Sequence, residues 1–296
     1  MKEKFNVLLM YPNFRWANWE NRSGWDLYPY NIGILASTIR NDYNVRFLDA
    51  NLENLSESEF SRRLLTENPQ VLGISVLTSE YGQAGSIAAK IAKETNSKIT
   101  TVMGGVHAMS LPEKAISDEN MDFVVNGEGE YVFKKLCDFI SKIGNMPEKG
   151  ILYKKDKEII NTGREDFIQN LDEIPYPAYD LIDFKPYFMK RQREDAGEIG
   201  SPRAYPYANI MTSRGCPNGC CFCEVESLMG KKPRFRSVEN IMGEIDLLVK
   251  DYGIKFLHIS DDNMLADKNR AKNLFRAIAN RNYDLKWDAP SLQYLC

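Results

Sequence analysis

The sequence predicts an α/β protein in two parts, a doubly wound parallel sheet followed by the first units of a parallel β/α barrel. Three observations predict it. Through residues 1–145 short apolar runs alternate with segments whose apolar residues recur at helical spacing. The same alternation resumes after residue 208, with a helical pattern after each strand. Residues 146–207 break the rhythm with prolines, aromatics and a turn, as a connector does. Alternation of strands and helices implies parallel strands covered on both faces.

In the first part, Phe5–Met10, Val45–Leu48, Val71–Val76, Ile99–Met103 and Phe123–Val125 read as strands. Ile32–Ile39, Ala84–Ala92 and Tyr131–Ile143 read as helices. In such sheets ligands bind beyond the carboxyl ends of the strands. Strand one ends in Tyr11, Pro12 and Asn13, before a loop carrying Trp16, Trp19 and Trp25. Strand three ends in a hydroxyl-rich edge containing Ser75, Thr78 and Ser79. Strand four ends in Gly104, Gly105, Val106 and His107, and strand five in Gly127, Glu128, Gly129 and Glu130. Glycines let the backbone approach a flat ligand, and hydroxyls and amides bond its polar fringe. There is no G-x-G-x-x-G or P-loop, which argues against a dinucleotide or ATP. Glu128 and Glu130 also suit the first turn of the following helix.

The connector holds a hairpin, Gly150–Tyr153 and Glu158–Ile160 flanking Lys154–Lys157. The stretch from Leu171 to Leu181, with Pro175 and Pro177, is too proline-rich for a helix or central strand and reads as an ordered strap.

In the second part, Ala208–Thr212 is a strand delivering a cysteine-rich loop. Ser237 caps a helix with apolar residues at Val238, Ile241, Ile245, Leu248 and Tyr252 and with Glu239 in its first turn. Ile254–Ile259 is the second strand, ending in Ser260, Asp261, Asp262 and Asn263. Arg270–Ala279 is the next helix and Leu285–Trp287 begins a third strand. Parallel barrels place their sites at these strand ends.

With 296 residues the chain is long enough for two cores, and its net charge of −3 gives no reason to expect a nucleic acid partner. No apolar run approaches the ~18 residues of a membrane span. Six cysteines, four of them within residues 216–223, suit a reducing compartment and a metal site, so the expected location is cytoplasmic.

The chemistry sits in residues 212–223. Cys216, Cys220 and Cys223 stand at C-x3-C-x2-C spacing, with Phe222 before the last. Three thiolates on one short loop can face a single centre. Iron–sulfur clusters are normally held by four cysteines, so three leave one iron open to another ligand. A structural zinc site wants four protein ligands, and no second pair exists, although Cys221 or a distant residue could complete one. A redox pair of Cys220 and Cys223 would leave Cys216 without a role. Disulfides suit small secreted chains, and Pro217, Asn218 and Gly219 make the segment a turn and not a core strand.

This spacing, with Phe222 and the preceding Ser213, Arg214 and Gly215, resembles the radical S-adenosylmethionine superfamily. The Gly-Gly-x-His and Gly-Glu-Gly-Glu phrases upstream resemble the cobalamin-binding domain that precedes such domains, a Rossmann/flavodoxin-like sheet. The resemblance implies a partial (β/α)6 barrel of which this sequence holds the first part. It implies a 4Fe–4S cluster on Cys216, Cys220 and Cys223, and S-adenosylmethionine on the open iron with contacts from Asp261, Asp262, Asn263 and Arg214. Cobalamin would meet Tyr11, Pro12, Ser75, Thr78, Gly104, Gly105, His107, Gly127 and Glu128. The Asp-x-His-x-x-Gly motif of cobalt-ligating relatives is absent, so His107 is expected to bond a backbone carbonyl or a corrin amide. C-methylation of an unactivated carbon is the leading reaction, and oxidative cyclisation the alternative within the class. A non-catalytic cobalamin or tetrapyrrole binder and an inactive remnant are the alternatives outside it. The substrate would be a small, tetrapyrrole or lipid-like molecule, and the reductant a flavodoxin or ferredoxin. The barrel stops at Cys296 after two units and one strand, which leads us to expect a fragment. The run Arg214, Lys231, Lys232, Arg234 and Arg236 is expected to be solvated surface charge, His258 to be packed, and Cys221 to face away from the cluster.

Overall fold

The computed structural model describes residues 5–17, 29–77, 82–187 and 206–289. The chain divides into two compact units. Unit 1 comprises Met1–Trp25, Asn31–Phe167 and Pro177–Ile182; unit 2 comprises Asp26–Tyr30, Ile168–Tyr176 and Asp183–Cys296. Thr78, Ser79, Trp19 and Trp25 lie outside the described residues.

Unit 1 is built on β1 (Asn6–Tyr11), β2 (Asn44–Asp49), β3 (Val71–Ser75), β4 (Thr100–Gly104) and β5 (Phe123–Val125), all parallel and ordered β2-β1-β3-β4-β5. This is the doubly wound order of flavodoxin-like sheets, and its topological switch point lies between β1 and β3. The helices are α1 (Tyr30–Ile39), α2 (Glu57–Glu67), α3 (Gly82–Thr95), α4 (Val106–Ser110), α5 (Pro112–Ser117) and α6 (Gly129–Ile140). Two apolar layers result. Leu8, Met10, Leu72, Ile74 and Met103 pack with Phe60, Leu64, Ala88 and Ala92 in one. Val7, Leu9, Val71 and Val102 pack with Ile32, Ala36, Phe133 and Leu136 in the other.

Helix α2 is absent from the sequence expectations. It opens on a capping box in which the Ser56 side chain accepts from Glu59 N while the Glu59 carboxylate accepts from Ser56 N. Only Phe60 and Leu64 of its eleven residues are buried, so its apolar stripe is too narrow to read by periodicity.

The expected hairpin forms as β6 (Ile151–Lys155) and β7 (Glu158–Asn161). Asp156 and Lys157 at its tip both have positive φ, the backbone of a two-residue turn matched to strand twist. It extends the sheet of unit 1, since β6 runs antiparallel to β5. The strap is ordered into two short 3-10 turns, Leu171–Glu173 and Tyr179–Leu181. Within unit 1, Ala178 N donates to Gly33 O at 2.9 Å. Within unit 2, the Tyr176 hydroxyl donates to Asn240 O at 2.7 Å.

Unit 2 carries three parallel strands in chain order, β8 (Tyr207–Ile210), β11 (Phe256–Ile259) and β12 (Lys286–Asp288). A short antiparallel pair, β9 (Ser213–Arg214) with β10 (Arg234–Phe235), flanks the cysteine loop. Its helices are α7 (Val225–Met229), α8 (Val238–Asp251) and α9 (Lys268–Asn280). Ser237 caps α8 by accepting from Asn240 N, and Asp267 caps α9. Strand, helix, strand, helix, strand in one sheet is the opening of a parallel β/α barrel.

Candidate functional sites at the strand ends of both units

At the switch point of unit 1 an open cleft is lined by Tyr11, Pro12, Phe14, Asp49, Asn51, Ser75, Val76 and Leu77. The Tyr11 hydroxyl donates to Asn31 Oδ1, and Asn31 Nδ2 donates to Ser75 Oγ at 3.2 Å. A polar relay thus ties the ends of β1 and β3 to the first turn of α1. Burial, followed by the nearby Asp49 carboxylate, pushes the Tyr11 hydroxyl far above its usual range, so it stays protonated. Asn31, Asp49 and Asn51 are site residues that sequence reasoning missed. Asn31 at the start of the apolar helix α1 and the polar carboxyl end of β2 were the available signals.

Gly104 and Gly105 differ in what they allow. Gly105 has φ +87°, and a side chain there would come 2.6 Å from Val76 O. Gly104 has nothing among the described residues within 4 Å of an added Cβ, so the end of β4 leaves room there. His107 lies in α4, 4% exposed, with its ring against Gly82 and, among the described residues, no hydrogen-bond partner at Nδ1. Burial, then Lys114, holds it below the ordinary histidine range, so the ring is neutral. Gly127, with φ +133°, has Arg164 beside it. Glu128 occupies the N-cap position of α6 without a side-chain capping bond, and its charge acts on the half-buried Arg164 guanidinium. Glu130 sits in the first turn of α6. Trp16 packs on Phe60, ring centres 5.2 Å apart, and donates Nε1 to Leu55 O at 2.8 Å.

In unit 2 the cysteine loop leaves β9 and is fixed at its root. Asp261, which the sequence places among the cofactor contacts, has both oxygens engaged within the protein. Oδ1 accepts from Thr212 N at 2.5 Å and Ser213 N at 3.1 Å; Oδ2 accepts from the Thr212 hydroxyl and from Ser213 Oγ at 2.6 Å. Its carboxylate is a strut between the end of β11 and the start of the loop. Asp262 Oδ2 accepts from Gly215 N at 2.8 Å, and burial raises this carboxyl above the usual range. Gly215 has φ +89°, and a Cβ there would meet Gly230 O at 2.8 Å, so only glycine fits. Cys216 N donates to Gly230 O at 3.2 Å. Asn263 serves the protein with both ends of its amide. Its Oδ1 accepts from Leu265 N as a cap, and its Nδ2 donates toward Cys216 Sγ at 3.7 Å.

The basic run is not the surface feature expected. Arg214, Arg234 and Arg236 are at most 8% exposed, while Lys231 and Lys232 are solvated. Arg234 donates to Ile168 O and Met229 O, and Arg236 to Glu244, Asn240 Oδ1 and Met211 O. Arg270 donates to Thr212 O and lies over the Phe235 ring, 4.8 Å from its centre. Guanidinium groups therefore brace the loop root from inside.

Cys216 and Cys220 are partly exposed, and Cys221 and Cys223 exposed; none of these four is in a disulfide. Phe222 is 82% exposed. Among the described residues no three His, Cys, Asp or Glu side chains are gathered closely enough to hold a metal ion. The donor set still fits a cluster, because three free thiols on one loop anchored at both ends are accessible from solvent. Metal sites commonly form only as the ligand loop closes on the metal.

A doubly wound sheet followed by the start of a β/α barrel with a three-cysteine loop after its first strand defines the class. The family models agree: the B12 binding domain matches residues 21–137 and the Radical SAM superfamily residues 210–293. The chain belongs to the radical S-adenosylmethionine proteins that carry a cobalamin-binding domain. It is 36% identical, over 89% of its length and 55% of the relative's, to an uncharacterized methyltransferase of Pyrococcus horikoshii. It is 28% identical, over 89% of its length and 56% of the relative's, to the cytidylyl-2-hydroxyethylphosphonate methyltransferase of Streptomyces wedmorensis. Among solved structures it resembles the cobalamin-dependent S-adenosylmethionine radical enzyme OxsB, with aqua-cobalamin and S-adenosylmethionine bound. That likeness has a TM-score of 0.75 at 20% identity, covering 97% of this chain and 38% of the other. The chain spans about half the length of the curated relatives it matches. No described helix is long and apolar enough to cross a membrane.

Proposed function

We propose that unit 1 holds cobalamin, that unit 2 holds a 4Fe–4S cluster with S-adenosylmethionine, and that the protein methylates an unactivated carbon of a small-molecule substrate. The observation that carries this reading is the cysteine loop with its root fixed by Asp261, Asp262 and Gly215. When bound, the cluster and S-adenosylmethionine supply one-electron bond cleavage, and cobalamin supplies a methyl carrier.

The residues of this chain bind and orient. Cys216, Cys220 and Cys223 are the iron ligands, and Cys221 is a bystander. Asn263 Nδ2 directs an N–H toward Cys216 Sγ, which would lower the charge on that thiolate. Asp262 and Arg214 line the loop root, where S-adenosylmethionine would lie. Tyr11, Pro12, Ser75, Gly104, Gly105, His107, Gly127 and Glu128 form the cobalamin edge, to which the sequence adds Thr78, outside the described residues, and Gly104 leaves the room a flat macrocycle needs. The two methyltransferase relatives favour methyl transfer over oxidative cyclisation. A flavodoxin or ferredoxin in the cytoplasm is the expected electron source, in keeping with free cysteines.

Anaerobic reconstitution with iron and sulfide tests the reading. A 4Fe–4S optical spectrum that changes on adding S-adenosylmethionine, with 5′-deoxyadenosine released, is expected. Stoichiometric zinc with no iron uptake would overturn it. Failure to bind hydroxocobalamin would remove the assignment of unit 1 alone. A product heavier by one methyl group separates methylation from cyclisation, which removes hydrogen.

A further inference from the structure

Unit 2 contains a polar row that neither the cysteine loop nor its supports account for. Asn209, His258 and Asp288 are register partners on β8, β11 and β12, with His258 opposite Asn209 on one side and Asp288 on the other. The neighbouring rows face the helices. Trp287 stacks on Phe275 of α9 with ring centres 4.9 Å apart, and its register partner Leu257 is 1% exposed. Ala208, Ile210 and Ile259 are fully buried. Strand alternation turns Asn209, His258 and Asp288 to the opposite face, which becomes the interior of a β/α barrel.

The chemistry of the row is one-sided. His258 Nδ1 lies 2.6 Å from Asp288 Oδ1. In the neutral imidazole the hydrogen sits on Nδ1, toward the carboxylate that can only accept, and Nε2 keeps a lone pair. Asn209 is 7% exposed, and its Oδ1 has no hydrogen-bond partner among the described residues. A buried amide oxygen without a donor lowers stability, and a β-branched apolar residue would suit the strand better. Two acceptors therefore stand on adjacent strands of one face.

We infer that Asn209 Oδ1 and His258 Nε2 form a subsite for an N–H or O–H donor group of the substrate, with Asp288 fixing the histidine tautomer. The row lies one residue before the carboxyl ends of β8 and β11, whereas the cysteine loop departs beyond them. It thus takes the part of a ligand that reaches into the sheet interior, and it selects alcohols, amines or ring N–H compounds over their alkylated counterparts. Only in naming the ligand as substrate does this rest on the proposed function.

The chain has two histidines, so isotope labelling of histidine gives a two-residue NMR spectrum with His107 as internal control. The probes are benzyl alcohol and pyrrole, each against its methylated partner, benzyl methyl ether or N-methylpyrrole. The expected result is an Nδ1–H tautomer for His258 and an Nε2 shift from the donor probes alone. Asn209→Leu should weaken donor-probe affinity about tenfold, the loss of one buried hydrogen bond, without lowering thermal stability. His258→Gln should abolish discrimination between the paired probes in titrations followed on the backbone amides of β11. An Nε2–H tautomer, equal shifts from the methylated partners, or unchanged affinity in Asn209→Leu would overturn the inference. A donor-specific shift in protein that never forms a cluster supports it while overturning the proposed function. A cluster that cleaves S-adenosylmethionine in protein showing no donor-specific shift does the reverse.

Discussion

Removing the Asp261 strut should uncouple the cysteine loop from the sheet, and two substitutions grade the effect. The carboxylate is 3% exposed and accepts from four donors, two backbone N–H groups and two hydroxyls. In Asp261→Ala all four lose their partner in a site too closed for water to replace it. At about 1 kcal/mol for each stranded donor, the expected loss is about 4 kcal/mol, near the upper limit for a single substitution. In Asp261→Asn the amide oxygen can still serve Thr212 N and Ser213 N. The amide N–H groups then face the two hydroxyls, which can rotate to accept. Only charge assistance is lost, about 1–2 kcal/mol. Urea unfolding of the iron-free protein, followed by the fluorescence of Trp287, the one tryptophan in unit 2, measures both. Iron bound per chain after reconstitution should fall in the same order. Asp261→Ala within about 0.5 kcal/mol of the parent, or Asn as damaging as Ala, would refute the strut.

Replacing Cys216, Cys220 or Cys223 by alanine should abolish iron uptake while changing iron-free stability by less than about 0.5 kcal/mol, because none is buried; Cys221→Ala should load iron normally, and metal analysis with melting curves checks both. Gly104→Val should fold with near-parent stability yet weaken hydroxocobalamin binding more than about tenfold, a steric loss above 1.4 kcal/mol. Gly105→Ala should cost roughly 2 kcal/mol or more through its positive φ and the approach to Val76 O, which calorimetry and cobalamin titration separate. His107 is held below its ordinary value of 6.5. Below pH 6.5 the unfolded chain takes up a proton that the folded ring resists, so unit 1 loses stability as pH falls through 6.5 toward the folded value. His107→Gln should flatten that part of the curve of unfolding midpoint against pH, and an unchanged slope would count against the buried neutral ring.

The parallel strands were legible because most are short apolar runs with turn residues at their ends, and Phe123–Val125 matches residue for residue, whereas the two-residue β9 and β10 were not expected. The cap at Ser237 was legible for the same local reason. What stayed hidden depends on where side chains point. Asp261 and Asp262 are adjacent in sequence, yet they reach different parts of the loop root, Asp261 Thr212 and Ser213, Asp262 Gly215. Arg214, Arg234 and Arg236 read as surface charge until the β9–β10 pairing turns them inward. The three cysteines are plain as a set, whereas the shape of their loop is not a property of spacing. Asn209, His258 and Asp288 lie up to 79 positions apart (288 − 209), and only strand register aligns them.

The hairpin at Asp156 and Lys157 has a bearing on the company this chain can keep. A three-residue strand such as β5 at the margin of a parallel sheet would offer its unpaired amides to any extended peptide. With β6 and β7 laid against it, the outermost strand, β7, instead begins at a tight reversal and is only four residues long, with Glu158 and Asn161 turned to water and Lys154 and Lys155 of β6 beside it. At the far margin β2 turns Asn44 and Arg46 to solvent. Polymerisation through these margins is thus discouraged on both sides, which keeps the sheet of unit 1 self-contained while a nascent chain is still being completed.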